Sequence, residues 1–332
     1  MTTNKQVLLA ARPDGMVKES DFRVAETQAP VPSEGQVLLK NLYLSLDPYM
    51  RAAMNEKRAY GKPLQLGEVM LGETIAEVIE SRNDKLKIGQ TVAAYSGWQQ
   101  YAISDGKDLR PADPKLLPAS AYLGVAGMPG VTAWYGLLKI GEPKAGETVV
   151  VSAASGAVGG VVGQIAKIHG CRVVGIAGGK QKCDYVTGEL GFDACVDHRS
   201  SNWFEQLAQE TPKGVDVYFE NVGGPILDAV LARCNPRARI PLCGMIADYN
   251  ASERYGVKNI VSAVGNRIRI QGFIISDHLN IWPEALAQLA QWIREGKIKY
   301  RESVTQGLEN APRAFIGLFK GENFGKQIVK IS

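Results

Sequence analysis

The spacing of hydrophobic residues changes about a third of the way along the chain. Up to residue 122 the apolar residues form short runs separated by Pro and Gly, which is typical of a mostly β, barrel-like module. From Thr148 onward, apolar strands alternate with helical repeats, which predicts parallel βαβ units and a doubly wound sheet. The predicted strands of the first part are 6–10, 36–45, 69–81, 91–95 and 99–103.

These patterns divide the chain into three segments. We predict an α/β protein with a mostly β domain at 1–122, a doubly wound domain at 123–298, and a C-terminal segment at 299–332 that returns to the first domain. The elements predicted from 148 onward are strands at 148–154, 172–177, 194–197, 215–220, 237–243, 267–275 and 327–331, and helices at 157–169, 181–190, 202–209, 225–232, 283–294 and 309–319.

The segment 148–167 carries the most specific signal in the sequence. The apolar run 149–151 predicts a strand buried on both faces, and helical spacing resumes after a glycine turn at 155–160. Such a strand, turn and helix place a pyrophosphate on the helix N-terminus, although Ala154 here replaces the first of the three usual glycines. The residues predicted to bind the pyrophosphate are Ser155, Gly156, Ala157, Val158 and Gly159.

The end of the next strand indicates which dinucleotide binds. NAD-binding chains place an acidic residue here, where it binds the ribose 2′-hydroxyl. This strand instead ends in Gly178 and Gly179, followed by Lys180 and Lys182, so that ammonium groups can meet a 2′-phosphate. The sequence therefore predicts an NADP(H) binder. After the third strand, His198 and Arg199 either reach the same phosphate or lie on a solvated face.

Composition excludes several other classes of protein. The chain is 45% hydrophobic and 22% charged, and its net charge of +4 is spread along the sequence, so neither nucleic-acid nor membrane binding is indicated. No apolar stretch is long enough to span a bilayer, and the first residues lack a secretory signal. Five well-separated cysteines are typical of a reduced, cytoplasmic protein in which they act as small buried hydrophobes.

Five segments in order, at 46–51, 127–133, 153–159, 220–224 and 321–326, carry a resemblance to a known family. With them the chain resembles the zinc-free medium-chain dehydrogenase/reductases, and most of all the alkenal/one double-bond reductases, which include prostaglandin and curcumin reductases. The resemblance implies a GroES-like β domain joined to a Rossmann domain, with the active site in the cleft between them. It also implies NADPH-dependent reduction of the C=C bond of α,β-unsaturated ketones and aldehydes, and a homodimer.

The resemblance also assigns cofactor-binding residues. Lys182 matches the family lysine that contacts the 2′-phosphate, and Asn323 matches a residue that contacts the ribose or pyrophosphate. The family's Asn-Tyr-Lys after the third strand is Asp197-His198-Arg199 here, so that His198 and Arg199 supply the donors. The other cofactor-binding residues implied are Met128, Thr132, Gly178, Asn221, Cys243, Gly244, Tyr249, Gly325 and the backbone of Phe273 and Ile274.

The sequence predicts no metal site. Zinc dehydrogenases of this fold carry an early Gly-His-Glu segment, whereas the equivalent residues 71–74 contain no histidine. The histidines, His169, His198 and His278, do not have the spacing of ligands. Activation of the substrate oxygen is therefore expected from hydroxyl groups.

Two tyrosines are the catalytic candidates. Hydride addition to the β-carbon of an enone leaves negative charge on the carbonyl oxygen, and a tyrosine hydroxyl is a donor that stays neutral near pH 7. Tyr249 follows the fifth strand, where doubly wound sheets bind ligands. Tyr60 lies in a loop of the first domain, where simple packing is an equal alternative. Two other functions remain open: an NADPH quinone reductase and a non-catalytic NADPH-binding protein.

Overall fold

A computed structural model describes residues 2–56 and 63–331. The chain divides into two compact units, Met1–Gly124 with Glu302–Ser332, and Val125–Arg301. The strands are β1 (Thr3–Leu9), β2 (Phe22–Gln28), β3 (Val37–Ser45), β4 (Thr74–Ser81), β5 (Thr91–Ala94), β6 (Tyr101–Ser104), β7 (Arg110–Pro111), β8 (Thr148–Ser152), β9 (Arg172–Ala177), β10 (Ala194–Asp197), β11 (Val215–Phe219), β12 (Cys234–Leu242), β13 (Arg269–Gly272), β14 (Glu302–Gln306) and β15 (Lys326–Lys330). The helices are α1 (Met50–Ala53), α2 (Met128–Tyr135), α3 (Gly159–Ile168), α4 (Lys180–Gly188), α5 (Trp203–Glu210), α6 (Gly224–Leu231), α7 (Ser262–Gly265), α8 (Trp282–Arg294) and α9 (Ala311–Lys320).

The first unit is built on a mostly antiparallel sheet. Its strand order is β14-β15-β3-β4-β5-β7, β6 also pairs with β3, and β1 and β2 form a separate antiparallel pair. The C-terminal strand β15 pairs antiparallel with β3, so the last residues of the chain complete a sheet begun by the first forty-five. An aromatic group holds α9 against the strands: Trp98 stacks on Phe22 at 5.6 Å and meets Phe315 edge-on at 5.6 Å.

Three strands of this unit are missing from the sequence prediction: β2, β14 and the two-residue strand β7. In β2 the first residue, Phe22, is the only one fully buried, and Val24 is 45% exposed. In β14 no residue is fully buried. Because such strands face mostly solvent, they lack the alternation of apolar and polar residues by which a strand is recognised in a sequence.

The second unit contains a six-stranded parallel sheet of order β10-β9-β8-β11-β12-β13. All six strands are predicted by the sequence, with end points that differ by a few residues. The strand order reverses between β8 and β11, and ligands of doubly wound sheets bind at the carboxyl ends of the strands next to such a reversal. Helix α2 is not predicted, because it is buried on nearly all sides and shows no helical spacing of polar residues.

No helix within 2–56 or 63–331 is long and apolar enough to cross a membrane.

Candidate functional site

A tight glycine turn joins β8 to α3. The chain enters it through Ala153, whose φ of 50° is unusual for a residue other than glycine. A Cβ on Gly159 would lie 2.4 Å from the carbonyl oxygen of Ala153, so the turn closes only with glycine there. Gly156 is less restricted, since its Cβ would lie 3.1 Å from the same oxygen. The turn thus brings backbone close to the N-terminus of α3, which is the geometry of a pyrophosphate site.

Two further glycines allow α3 to pack closely against the sheet. A Cβ on Gly163 would lie 1.8 Å from the ring of Phe192, and one on Gly175 would lie 2.8 Å from the Cβ of Ala154. Phe192 is only 4% exposed, so its ring has little room to move. The absence of a side chain at Gly163 therefore lets α3 pack close to Phe192.

The glycine turn gives a stability prediction. We expect Gly159→Ala to lower the free energy of unfolding by about 1–3 kcal/mol, because the new methyl group overlaps a backbone oxygen that a side-chain rotation cannot relieve. Gly188→Ala is the control, since Gly188 ends α4 and its Cβ would have no described atom within 4 Å. This control should raise stability by up to about 1 kcal/mol. Urea unfolding of both variants checks the pair, and equal effects would contradict the steric argument.

Basic side chains converge where β9 and β10 end. A Cβ on Gly178 would lie 2.9 Å from Nε2 of His198 and 3.1 Å from Nε of Arg199. Burial and the charge of Arg199 lower the pKa of Lys182, and loss of hydration together with Arg199 lowers the pKa of His198. The sequence-predicted residues Gly178, Lys182, His198 and Arg199 are thus neighbours. An anion among them would relieve their mutual repulsion.

Asp197, at the end of β10, accepts backbone hydrogen bonds beside this anion site. Its Oδ1 accepts N–H hydrogen bonds from Gly179 at 2.7 Å and from Arg199 at 3.0 Å. Burial opposes ionisation of Asp197, but these N–H groups outweigh it and lower its pKa. The carboxylate therefore shapes the turn that carries the basic residues. Sequence reasoning names Asp197 only as a departure from the family, although an acid two residues before Arg199 is a known local turn signal.

Lys180 and Lys182 occupy different environments. The Nζ of Lys180 lies 2.7 Å from Asp184 on the same face of α4, and both side chains are largely exposed, at 85% and 60%. Lys182 is half-buried beside Arg199. Lys180 is therefore a surface charge, whereas Lys182 lies in the basic group.

A buried carboxyl group organises the end of β11. Oε1 of Glu220 accepts hydrogen bonds from the hydroxyl of Ser152 at 2.8 Å and from the N–H groups of Val222 at 2.5 Å and Gly223 at 3.0 Å. Burial raises the pKa of Glu220. The same turn holds Asn221, whose Nδ2 donates to the carbonyl of Ser152 at 2.8 Å. Glu220 thus ties β8 to β11 beside the strand reversal.

Sequence reasoning assigns no role to Glu220. An acid directly after the apolar strand β11 and before two glycines is the signal that could have found it.

Tyr249 lies over the end of β12. Its hydroxyl accepts a hydrogen bond from the N–H of Met245 at 3.4 Å, and a Cβ on Gly244 would lie 3.1 Å from the same hydroxyl oxygen. The Cβ of Gly244 would also lie 3.5 Å from the carbonyl oxygen of Asn221. Tyr249, Gly244 and Asn221 are therefore close together at the carboxyl edge of the sheet, and Cys243 directly precedes Gly244.

The remaining predicted residues of the second unit lie on α2 and after β13. Thr132 is buried, and its hydroxyl donates to the carbonyl of Met128 at 2.7 Å, so its proton is used within α2. The ring of Phe273 lies 5.7 Å from that of Tyr135, and Ile274 is 39% exposed. Phe273 therefore packs toward the helix that carries Met128 and Thr132.

Two predicted residues belong to the first unit. Nδ2 of Asn323 donates to the carbonyl of Gly325 at 2.9 Å, and Gly325 has a φ of 60°, which favours glycine. The predicted catalytic residue Tyr60 lies outside the described residues. Among the described residues no group of three or more His, Cys, Asp or Glu side chains is arranged to hold a metal ion.

Comparison with known proteins identifies the family. A family model described as an N-terminal domain of oxidoreductase matches residues 5–112, and one described as a zinc-binding dehydrogenase matches residues 157–292. The chain is 49% identical to an NADPH-dependent curcumin reductase of Escherichia coli (strain K12), over 99% of this chain and 97% of that protein. It is 42% identical to a 2-alkenal reductase (NADP(+)-dependent) of Nicotiana tabacum, over 99% and 98% of the two chains.

A solved structure gives the same result. The structure of CurA in complex with NADPH from Vibrio vulnificus matches with a TM-score of 0.95 at 48% identity, covering 99% of each chain. The fold and the matched models define an oxidoreductase of the dehydrogenase type, with a GroES-like first unit and a Rossmann second unit. The chain belongs to the medium-chain dehydrogenase/reductases, in the family of the curcumin, 2-alkenal and prostaglandin reductases.

Proposed function

We propose that the protein reduces the C=C bond of α,β-unsaturated ketones and aldehydes with NADPH. The observation that carries this proposal is the similarity along the whole chain to reductases named for curcumin and 2-alkenals. The solved structure of CurA, which is 48% identical to this chain, contains NADPH, and this supports the choice of cofactor. The Tyr249 hydroxyl, at the carboxyl edge of the parallel sheet, supports the choice of reaction, since reduction of an enone needs a neutral donor for its oxygen.

The residues of the second unit fit this cofactor. The turn closes tightly because Gly159 carries no Cβ, and α3 begins at its end, as a pyrophosphate site requires. The basic group of Lys182, His198 and Arg199 offers donors to a 2′-phosphate. The other proposed cofactor-binding residues are Met128, Thr132, Ser155, Ala157, Val158, Gly178, Asn221, Cys243, Gly244, Phe273, Ile274, Asn323 and Gly325.

In the proposed reaction, the Tyr249 hydroxyl is the donor to the substrate. When bound, NADPH supplies the hydride that adds to the β-carbon of the substrate. The Tyr249 hydroxyl then donates a hydrogen bond to the substrate oxygen as negative charge develops there, or delivers its proton to the α-carbon. Its hydroxyl oxygen accepts a hydrogen bond from the N–H of Met245, which helps to position it at the carboxyl edge of the sheet. Tyr60 is proposed as a second hydroxyl in the same reaction.

A panel of acceptors tests the proposal. The purified protein should consume NADPH rapidly with 2-alkenals and enones, and slowly with quinones that lack an enal or enone side chain. The product should be the saturated carbonyl compound, which gains two hydrogen atoms in mass spectrometry and is distinguished from the isomeric allylic alcohol by its retained carbonyl signal in NMR. Rapid turnover of quinones alone would favour a quinone reductase. The absence of turnover with every acceptor, despite NADPH binding, would favour the non-catalytic function.

We also propose a homodimer that forms through β13. This strand is at the edge of the parallel sheet, all four of its residues are exposed, and an edge strand presents free pairing positions to a second chain. The residues Val261 and Val264, which are 72% and 79% exposed, precede this strand in the sequence. Ile270→Lys should convert the dimer to a monomer in light scattering, whereas Leu116→Lys, at an exposed apolar residue of the other unit, should not. A wild-type monomer would reject the proposal.

The proposed compartment is the cytoplasm. All five cysteines lie in the described part of the chain and are free thiols, which fits a reducing environment. Cell fractionation tests this assignment, and recovery from an oxidising compartment would contradict it.

A further inference from the structure

Two of the five cysteines contact each other at the edge of the proposed 2′-phosphate site. The Sγ atoms of Cys183 and Cys195 lie 3.0 Å apart. A disulfide bond has an S–S length of about 2.05 Å, so the sulfur atoms need to approach each other by only about one ångström to form one. Neither residue has a part in the proposed reaction. The proposed reaction therefore does not account for this contact between the two thiols.

Secondary structure brings the two thiols together. In β10 the alternate residues Ala194 and Val196 are buried in the core formed with α5 and α6. Because side chains alternate along a strand, Cys195 and Asp197 point to the opposite face, where α4 packs. Cys183 lies in the first turn of α4, where its N–H donates to the carbonyl of Gly179 at 3.2 Å. Asp197 binds the N–H of Gly179, so two adjacent positions on one face of β10 contact the start of α4.

The two thiols differ in their readiness to ionise. The hydrogen bond from Cys195 lowers the pKa of Cys183, whereas the contact with Cys183, together with burial, raises the pKa of Cys195. Burial raises the pKa of the other three cysteines, to about 11 for Cys171 and about 12 for Cys234 and Cys243. The thiolate, not the thiol, reacts with oxidants. Cys183 is therefore the first of the five cysteines to react, with Cys195 in place as its partner.

We propose that Cys183 and Cys195 form a redox-active dithiol that hydroperoxides convert to an intramolecular disulfide. The Cys183 thiolate attacks the terminal oxygen of the hydroperoxide and breaks its O–O bond. The products are a sulfenic acid on Cys183 and a leaving alkoxide or hydroxide, which takes up a proton to become an alcohol or water. The Cys195 sulfur then attacks the sulfenic sulfur, which forms the S–S bond and releases water. In total two thiols lose two electrons and two protons, and one hydroperoxide is reduced to an alcohol and water. A small dithiol reverses the reaction by exchange.

The disulfide alters the phosphate site, and this consequence rests on the proposed function. The bond would draw the first turn of α4 toward β10, and that turn carries Lys182 next to Cys183. Lys182 and Arg199 would then no longer keep the spacing that suits one phosphate group. Because charge-assisted hydrogen bonds depend on distance and geometry, we expect the disulfide to raise the KM for NADPH by about threefold or more and to leave the KM for NADH unchanged.

Thiol counting and intact mass test the modification itself, without reference to cofactor. The full-length protein is treated with hydrogen peroxide, and alkylation should then find two thiols fewer, with a mass loss of two hydrogen atoms that dithiothreitol restores. Cys195→Ser should instead accumulate a sulfenic acid on Cys183, which dimedone labels, and Cys183→Ser should resist oxidation. Cys171→Ala, a change at a buried thiol outside the pair, should oxidise like the wild type. Loss of thiols in Cys183→Ser equal to that in the wild type would overturn the proposal.

Melting and kinetics then test what the disulfide does. A bond that closes so short a loop should raise the melting temperature of the oxidised protein by about 5 °C, an increase absent from both serine variants. The ratio of the KM values for NADPH and NADH is compared before and after oxidation in the wild type and in Cys183→Ser. A formed disulfide with an unchanged ratio supports the modification and overturns its link to the phosphate site. A reduced wild type without NADPH preference would instead reject the proposed cofactor site.

Discussion

Replacing Lys182 with alanine raises the KM for NADPH by about 10- to 100-fold and changes the KM for NADH by less than about twofold. The expected size is that of one charge-assisted hydrogen bond of about 1.5–3 kcal/mol. Lys182 is half-buried, and burial together with the nearby charge of Arg199 lowers its pKa. A dianionic phosphate placed between them would replace this repulsion with attraction. NADH carries no such phosphate, so it loses nothing when the ammonium group is removed.

Steady-state kinetics with both cofactors measure this effect, and the chain offers a matched control. Lys180 lies two residues earlier on the same helix, but it pairs with Asp184 and is 85% exposed. Lys180→Ala should therefore leave both KM values within about twofold, because exposed ion pairs contribute little. An equal rise in the KM for both cofactors in Lys182→Ala would show a general loss of binding and contradict the 2′-phosphate assignment.

Replacing Tyr249 with phenylalanine lowers kcat by about 100-fold and keeps the KM for NADPH within about twofold. Removal of one preorganised donor from a developing oxyanion has an effect of this order. The aromatic ring is retained, so packing over Gly244 and the end of β12 should be preserved. Because the hydroxyl is proposed to act only on the charge that develops during reaction, its loss should appear in kcat and not in cofactor binding.

Tyr255→Phe is the control for the loop that carries Tyr249. The hydroxyl of Tyr255 binds the carboxylate of Asp228 at 3.0 Å, which anchors this loop to α6. Its removal should lower the stability only slightly, while kcat stays within about twofold. Stopped-flow measurement of hydride transfer in both variants separates chemistry from product release. An unchanged rate of hydride transfer in Tyr249→Phe would remove Tyr249 from the mechanism.

The sequence predicts the central strands of the parallel sheet well because β8, β9 and β11 are mostly buried and strongly apolar. Strand β8 is buried at all five positions, and a run of this kind cannot be mistaken for a loop. Strand β14 lies outside the prediction because its pairing with β15 places it in a sheet without burying it. Pairing between distant segments leaves no local signal in the residues themselves.

Some residues of the candidate site can likewise be recognised from the sequence, and others cannot. Glycines at 156 and 159 are recognisable because a phosphate turn demands them at fixed spacing. Glu220 and Asp197 are not, because their importance lies in backbone N–H groups that surround them only after folding. The difference between Lys180 and Lys182 likewise depends on which face of α4 each occupies relative to Arg199.

The crowding around Gly178 limits how cofactor preference can change during evolution. NAD-binding chains carry their selective acid near this point, so a mutation of Gly178 to Asp would be the obvious route to a preference for NADH. Its first side-chain atom would meet His198 at 2.9 Å and Arg199 at 3.1 Å, and at Gly179 a φ of 95° disfavours any side chain. Aspartate at position 178 would have to push aside the ends of these two side chains, and its carboxylate would pair with the basic groups that are proposed to bind the 2′-phosphate. The substitution would therefore weaken NADPH binding at the same time as it offered NADH a partner.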